Sequence, residues 1–174
     1  APEHNTILPF TRNVVGSMDY TPVTFTNSQF PHTTSYGHEL ALSVVFESGF
    51  QHMADRPEGY YDLPDAAKHF LMEVPNAWDN TKLIDGYPGK DLIIARNKSD
   101  VWYIGGISAE KSPKIKTLTF NYLPESVKYK LTLIADGEHD KKLVIQYMVV
   151  DKLSTVKVRL LGRGGFVASL KPIN

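Results

Sequence analysis

The chain contains no cysteine. That excludes a disulfide scaffold and any thiolate metal site but leaves the compartment open, because many exported proteins also lack cysteine. No apolar run reaches the ~18 residues of a membrane-spanning helix, and the first ten residues have neither the basic start nor the apolar stretch of a signal peptide. An excess of charge is also missing: lysine plus arginine and aspartate plus glutamate stand at 19 each. The chain as a whole therefore carries no electrostatic footprint for nucleic acid or an anionic membrane. There is no G-x-S-x-G elbow, Walker loop, dinucleotide glycine fingerprint or H-E-x-x-H pair. An initiating methionine is absent too, which leads us to expect that further sequence precedes Ala1.

What is present is 174 residues with 42% hydrophobic content, enough for one compact domain or one and a half. Charge divides them. Up to Pro75 there are nine acidic and three basic residues (Arg12, Arg56, Lys68), whereas from Asn76 onward there are ten acidic and sixteen basic. Five of the six histidines also precede Pro75. A shift of this kind marks two structural units, and Glu73-Val74-Pro75-Asn76 supplies a proline boundary between them.

The first unit, residues 1–75, reads as irregular chain around helices. The strongest helix runs over 36–53 with Ser35 as N-cap, and apolar residues including Leu40, Val44 and Val45 almost encircle it. A second, shorter helix starts with Pro64 in its first turn and runs through Phe70 and Met72. So few elements cannot bury their own apolar faces. We expect Leu40, Val44 and Val45 to pack against elements outside this chain or against the second unit.

The second unit, residues 76–174, reads as about eight short antiparallel strands forming a β-sandwich. Leu118, Phe120 and Tyr122 alternate with polar residues, as do Val127, Tyr129, Leu131 and Leu133, and Val156, Val158 and Leu160. Each pattern predicts one buried and one wet face, with the surplus lysines on the wet one. Further strands are predicted at 91–97, 101–107, 143–150 and 166–170. Gly162-Arg163-Gly164-Gly165 is read as a hairpin turn and not a phosphate loop, because no helix follows it. Asp136, Glu138 and Asp140 have calcium-loop spacing but lack the loop's glycine and distal glutamate, so they are read as a polar turn. Asn97-Lys98-Ser99 is a weak glycosylation sequon. Trp78, Trp102 and Tyr103 are candidates for stacking on sugar rings, although Trp102 and Tyr103 are neighbours on one strand, so at most one can face solvent.

The informative runs are Pro2-Glu3-His4, Leu8-Pro9-Phe10-Thr11-Arg12 and Gly16-Ser17-Met18-Asp19-Tyr20-Thr21-Pro22. Together they resemble the end of the catalytic barrel in glycoside hydrolase family 97. Glu39-Leu40-Ala41-Leu42-Ser43-Val44-Val45-Phe46-Glu47-Ser48 resembles that family's last barrel helix, and Asp100-Val101-Trp102-Tyr103-Ile104-Gly105-Gly106-Ile107 a strand of its C-terminal domain. The resemblance implies an α+β fragment: residues 1–75 as the last segment and helices of a (β/α)8 barrel, residues 76–174 as an all-β antiparallel sandwich.

It further implies a bacterial, calcium-dependent, exo-acting α-glucosidase or α-galactosidase, periplasmic or secreted, acting on an oligosaccharide. Glu3 matches a late glutamate of that site, as general acid or as calcium ligand, both left open. Glycoside cleavage needs a proton donor at the leaving oxygen and a second carboxylate across the ring. His4 could contact sugar hydroxyls or be structural. Arg12 and Asp19 could line the barrel end or form a structural ion pair. A complete barrel takes ~250 residues, so the remaining N-terminal part of the same enzyme is the expected partner and this chain alone is expected to be inactive. The β-domain could also serve as a carbohydrate-binding module or make a homo-oligomer.

Overall fold

The structure, a computed structural model, describes residues 1–14, 25, 33–47 and 57–174. Among the described residues four helices precede eight strands: α1 (Pro2–Ile7), followed directly by a 3-10 turn (Leu8–Phe10), then α2 (Tyr36–Val45), α3 (Pro57–Tyr61) and α4 (Asp65–Glu73). The strands are β1 (Asn80–Tyr87), β2 (Asp91–Lys98), β3 (Val101–Ser108), β4 (Lys114–Thr119), β5 (Tyr129–Asp136), β6 (Leu143–Val150), β7 (Thr155–Leu160) and β8 (Gly165–Pro172). Among the described residues no strand precedes Asn80.

All strand pairs are antiparallel, but the two layers are unequal. Six strands form one sheet in the order β1-β2-β3-β8-β5-β6, and β4 pairs with β7 in a two-stranded ribbon. The chain crosses from sheet to ribbon after β3 and β6 and returns after β4 and β7. The turn at residues 161–164 is therefore a crossover between layers, not the expected hairpin.

Ribbon and sheet enclose a core that includes Ile93, Trp102, Ile104, Leu118, Phe120, Tyr129, Leu131, Val158 and Phe166, with Val156 packed at its margin. The expected inward set of Leu118, Phe120, Tyr129, Leu131, Val156 and Val158 is thus found there. β4 starts at Lys114 and ends one residue before Phe120, yet Leu118 and Phe120 keep the same inward face. β1 was not anticipated. It is an edge strand, largely exposed, and an irregularity between Leu83 and Asp85 breaks its alternation.

The opposite face of the sheet is covered by α2 and α4. Leu40, Val44 and Val45 lie in one core with Leu92, Ile94, Tyr103, Ile107 and Val167, so they pack on the β-domain itself. Here β3 has a glycine where a side chain would stand: a Cβ on Gly105 would lie 2.9 Å from Val44 Cβ and 3.0 Å from the Ala41 carbonyl oxygen. The absent side chain lets helix backbone approach strand backbone. Because both faces are covered, β2, β3 and β8 are almost wholly buried.

α2 is shorter than the expected 36–53. It ends at Val45, with Phe46 in extended backbone (φ −96°, ψ 130°), and residues 48–53 of that reading lie outside the described residues. The physical reason is a cap supplied by another element. Arg96 of β2, only 4% exposed, donates from Nε to the Val44 carbonyl (2.7 Å) and from Nη2 to the Val45 carbonyl (2.9 Å). These are carbonyls that a helix end leaves without intrahelical partners, and a planar guanidinium can meet two at once. α4 agrees with its reading, with Pro64 standing one residue outside as N-cap.

Candidate functional site

α1 has only six residues, too few to be stable unaided, and its two sides differ. Pro2, Asn5 and Thr6 are buried; Glu3 and His4 are exposed. The buried side is tied to distant chain. The Asn5 Nδ2 group lies 3.2 Å from His38 Nε2, and Thr6 Oγ1 accepts the Gly89 amide (3.1 Å) while donating to the Glu3 carbonyl (2.8 Å).

His38, in the first turn of α2, is fully buried. Its Nδ1 lies 3.3 Å from the Gly164 carbonyl, which can only accept, so Nδ1 carries the proton. Nε2 is then the acceptor for Asn5. Burial pushes the His38 pKa down to about 4, against the opposing bonds to backbone carbonyls, so the ring is neutral near pH 7.

The frame around His38 is set by the 161–165 crossover and the β5–β6 turn. Ser35 caps α2 by accepting the His38 amide (3.1 Å), and the Ser35 and Tyr36 amides donate to the Arg163 (3.3 Å) and Asp140 (2.7 Å) carbonyls. Asp136 accepts the Leu161 and Gly165 amides, both at 2.9 Å. Its burial raises its pKa, and those two amides with the Ser35 hydroxyl oppose the rise. A Cβ at Gly37 would sit 2.1 Å from the Gly165 carbonyl oxygen, and one at Gly165 2.6 Å from His38 Cα. The glycine run is thus a docking seat for a helix terminus, and Asp136 and Asp140 serve structural ends.

The remaining candidates separate clearly. Glu3 and His4 stand side by side on the outer face of α1. Arg12 is exposed, while Asp19 lies outside the described residues, as does the whole Gly16-to-Pro22 motif. Among the described residues no group of three or more His, Cys, Asp or Glu side chains could hold a metal. Glu3 offers one carboxylate against the roughly six to eight oxygens calcium takes, so these residues alone do not fit a calcium site.

Trp102 and Tyr103 are both buried, on opposite faces of β3. Trp102 packs against Tyr122 (4.8 Å between centroids), and Tyr103 packs edge-on to Phe70 and Trp78 (5.9 and 5.5 Å). None of the three stacking candidates forms an open aromatic row. A cleft of about 140 Å³ between α4 and the sheet, bordered by His69, Phe70, Glu73, Tyr147 and Lys171, is well below the roughly 300 Å³ at which small-ligand pockets begin.

Two of the surplus lysines depart from the solvated-face reading. Lys114 and Lys116 turn inward at the mouth of the sandwich and share Asp91, each at 2.8 Å. Burial works against the Asp91 charge, but hydrogen bonds and charge from the two lysines outweigh it and hold the pKa below its usual value.

Exposed apolar surface collects at the β6 edge, where Tyr147 and Val149 are 63% and 62% exposed; Leu153, in the turn beyond, is 89% exposed. Tyr147 and Val149 stand on the helix-side face of β6, which they share with Ile145, and Tyr147 borders the cleft beside α4.

Comparison with known proteins sets these features in context. The family model described as "Glycosyl-hydrolase 97 C-terminal, oligomerisation" matches residues 77–171. A "Probable retaining alpha-galactosidase" of Streptomyces bingchenggensis is 40% identical over 166 residues, covering 95% of this chain and 25% of that protein. A "Retaining alpha-galactosidase" of Bacteroides thetaiotaomicron is 32% identical, covering 97% of this chain and 27% of its own length. A glycoside hydrolase family 97 enzyme of Pseudoalteromonas sp. strain K8, solved in complex with acarbose, superposes with a TM-score of 0.89 at 27% identity, over 99% of this chain and 29% of that one. The chain spans about a quarter of the length of the curated relatives it matches.

Proposed function

Since this chain belongs to glycoside hydrolase family 97, as a C-terminal part of such an enzyme, we propose that the complete protein is an exo-acting glycosidase cleaving terminal α-galactosides or α-glucosides with retention. The observation that carries this reading is the 40% identity to the Streptomyces protein across 95% of the chain. A span of that length reaches beyond the β-domain into residues 1–75. The names of the two curated relatives favour galactosides.

In this reading residues 1–75 close the barrel and α1 presents Glu3 to its mouth, as the exposed position of Glu3 beside buried Asn5 and Thr6 supports. Glu3 acts there as general acid or as calcium ligand, and His4 lies within reach of sugar hydroxyls. Calcium, if bound, needs oxygens from the rest of the enzyme. The family resemblance also leads us to place the enzyme in the periplasm or outside the cell, which fractionation of the source cells tests.

The experiment is Glu3→Gln in the complete enzyme, assayed on aryl α-galactosides and α-glucosides. A larger loss on poor leaving groups identifies the acid. Equal loss on good and poor leaving groups, partly restored by excess calcium, identifies the ligand. Full activity on both refutes the assignment.

A second reading concerns the β-domain, for which the family model's description and the exposed Tyr147, Val149 and Leu153 favour a contact between copies of the enzyme. Val149→Lys in the complete enzyme should lower its solution mass by light scattering. An unchanged multimer removes this surface from consideration.

A further inference from the structure

We propose that Asn5 and His38 are a positioning pair through which the β-domain sets the placement of α1, and with it the Glu3 carboxylate, in the active site of the complete enzyme. The inference rests on the reading of Glu3 given above. It starts from the shortness of α1, which leaves its position to tertiary anchors.

Two polar anchors exist among the described residues, and both lead to the β-domain. The first is Asn5 to His38, and His38 is itself immobilised by the Gly164 carbonyl, by the Ser35 cap and by the close approach of Gly165 to its Cα. The second runs from the Gly89 amide through Thr6 Oγ1 to the carbonyl of Glu3. Glu3 thus hangs two residues from one anchor and is touched directly by the other, while its own side chain faces outward. A buried, neutral histidine that donates from one nitrogen and accepts at the other is directional. It can hold Asn5 only with the amide nitrogen turned toward it.

Chemistry at a glycosidic bond is sensitive to such placement: a shift of ~1 Å far from the reacting atoms can cost ~100-fold in rate. Loss of the Asn5 anchor should therefore lower kcat of the complete enzyme by about tenfold or more with little change in KM. A purely structural pair would lower the melting temperature and leave turnover per folded molecule intact.

Two His38 variants separate these cases. Glutamine places a carbonyl oxygen near the Nε2 position and keeps the acceptor for Asn5 while losing the bond to Gly164. Asparagine places its amide near Nδ1 and keeps the Gly164 bond while losing the acceptor. His38→Asn should lose kcat as Asn5→Ala does, and His38→Gln should rescue it, although both lower the melting temperature. Asn5→Ala combined with His38→Asn should lose no more than either alone.

All variants are made in the complete enzyme, with Glu3→Gln in parallel and folded fraction checked by near-ultraviolet circular dichroism. Full kcat in Asn5→Ala, or equal kcat in the two His38 variants, overturns the positioning role while an impaired Glu3→Gln leaves the Glu3 reading intact. Full activity of Glu3→Gln overturns both. If Asn5→Ala does not fold, the comparison of the two His38 variants decides alone.

Discussion

Replacing Arg96 with methionine tests the strongest link between the helical segment and the sheet. The guanidinium donates to the Val44 and Val45 carbonyls and, through Nη1, to Thr81 Oγ1 (2.9 Å). Glu47 lies 3.7 Å away with its side chain 41% exposed, so its ion pair adds little. Methionine fills much of the same volume but donates nothing, leaving two carbonyls at the buried end of α2 without partners. Each charge-assisted bond of this kind contributes about 1.5–3 kcal/mol. Allowing for the apolar burial that methionine gains, the loss should be about 4 kcal/mol. For a chain of this size that is a fall of roughly 10 °C in melting temperature, with a matching drop in urea midpoint at unchanged slope. Arg96→Lys should recover less than half, since one ammonium cannot span both carbonyls in the guanidinium's geometry. A methionine variant within about 1 kcal/mol of the parent, or a lysine variant equal to it, refutes the capping argument.

Gly105→Val should destabilise the chain by more than about 2 kcal/mol in urea titration, because its side chain must push α2 off β3; an unchanged midpoint contradicts the close approach. Acid should weaken the fold through His38. Its folded pKa of about 4 lies below the unfolded value of 6.5, so protons bind the unfolded chain better and stability is lost as pH falls from about 6.5 toward 4. The full loss is about 3 kcal/mol. Asp136, with its raised pKa, works in the opposite sense as it protonates. His38→Gln should flatten the slope of stability against pH over that window in denaturant titrations at stepped pH; an unchanged slope removes His38 as its source.

The strands were legible where local pattern and tertiary burial agree. Alternation in β4, β5 and β7 marked the inward residues correctly, and the run Leu92-Ile93-Ile94-Ala95 carried the unbroken apolarity of a strand buried on both sides. What pattern could not show was how the strands divide, six against two, because sheet membership depends on pairing between distant segments. Nor could it show β1, whose exposed edge position and irregularity leave little periodicity. The end of α2 was misjudged for a related reason: the residues after Val45 do not forbid a helix, and the stop comes from Arg96, some fifty positions later in the chain.

The candidate site was legible in a different way. Glu3 and His4 were found by resemblance alone, since two exposed residues on a six-residue helix carry no pattern of their own. Asn5, Thr6 and His38 were not singled out, although Asn5 and Thr6 follow immediately in the same run. Their significance lies in partners 33 and 83 residues away, and a hydrogen bond over such separation leaves no periodic trace. One signal was available and was read only as helix packing: α2 is apolar almost all round, yet it carries a histidine in its first turn. A neutral imidazole is costly to bury without partners for both nitrogens. Such a histidine therefore requires a donor and an acceptor from elsewhere in the chain, and asking which residues could supply them leads to the asparagine beside Glu3-His4 and to the glycine-rich crossover.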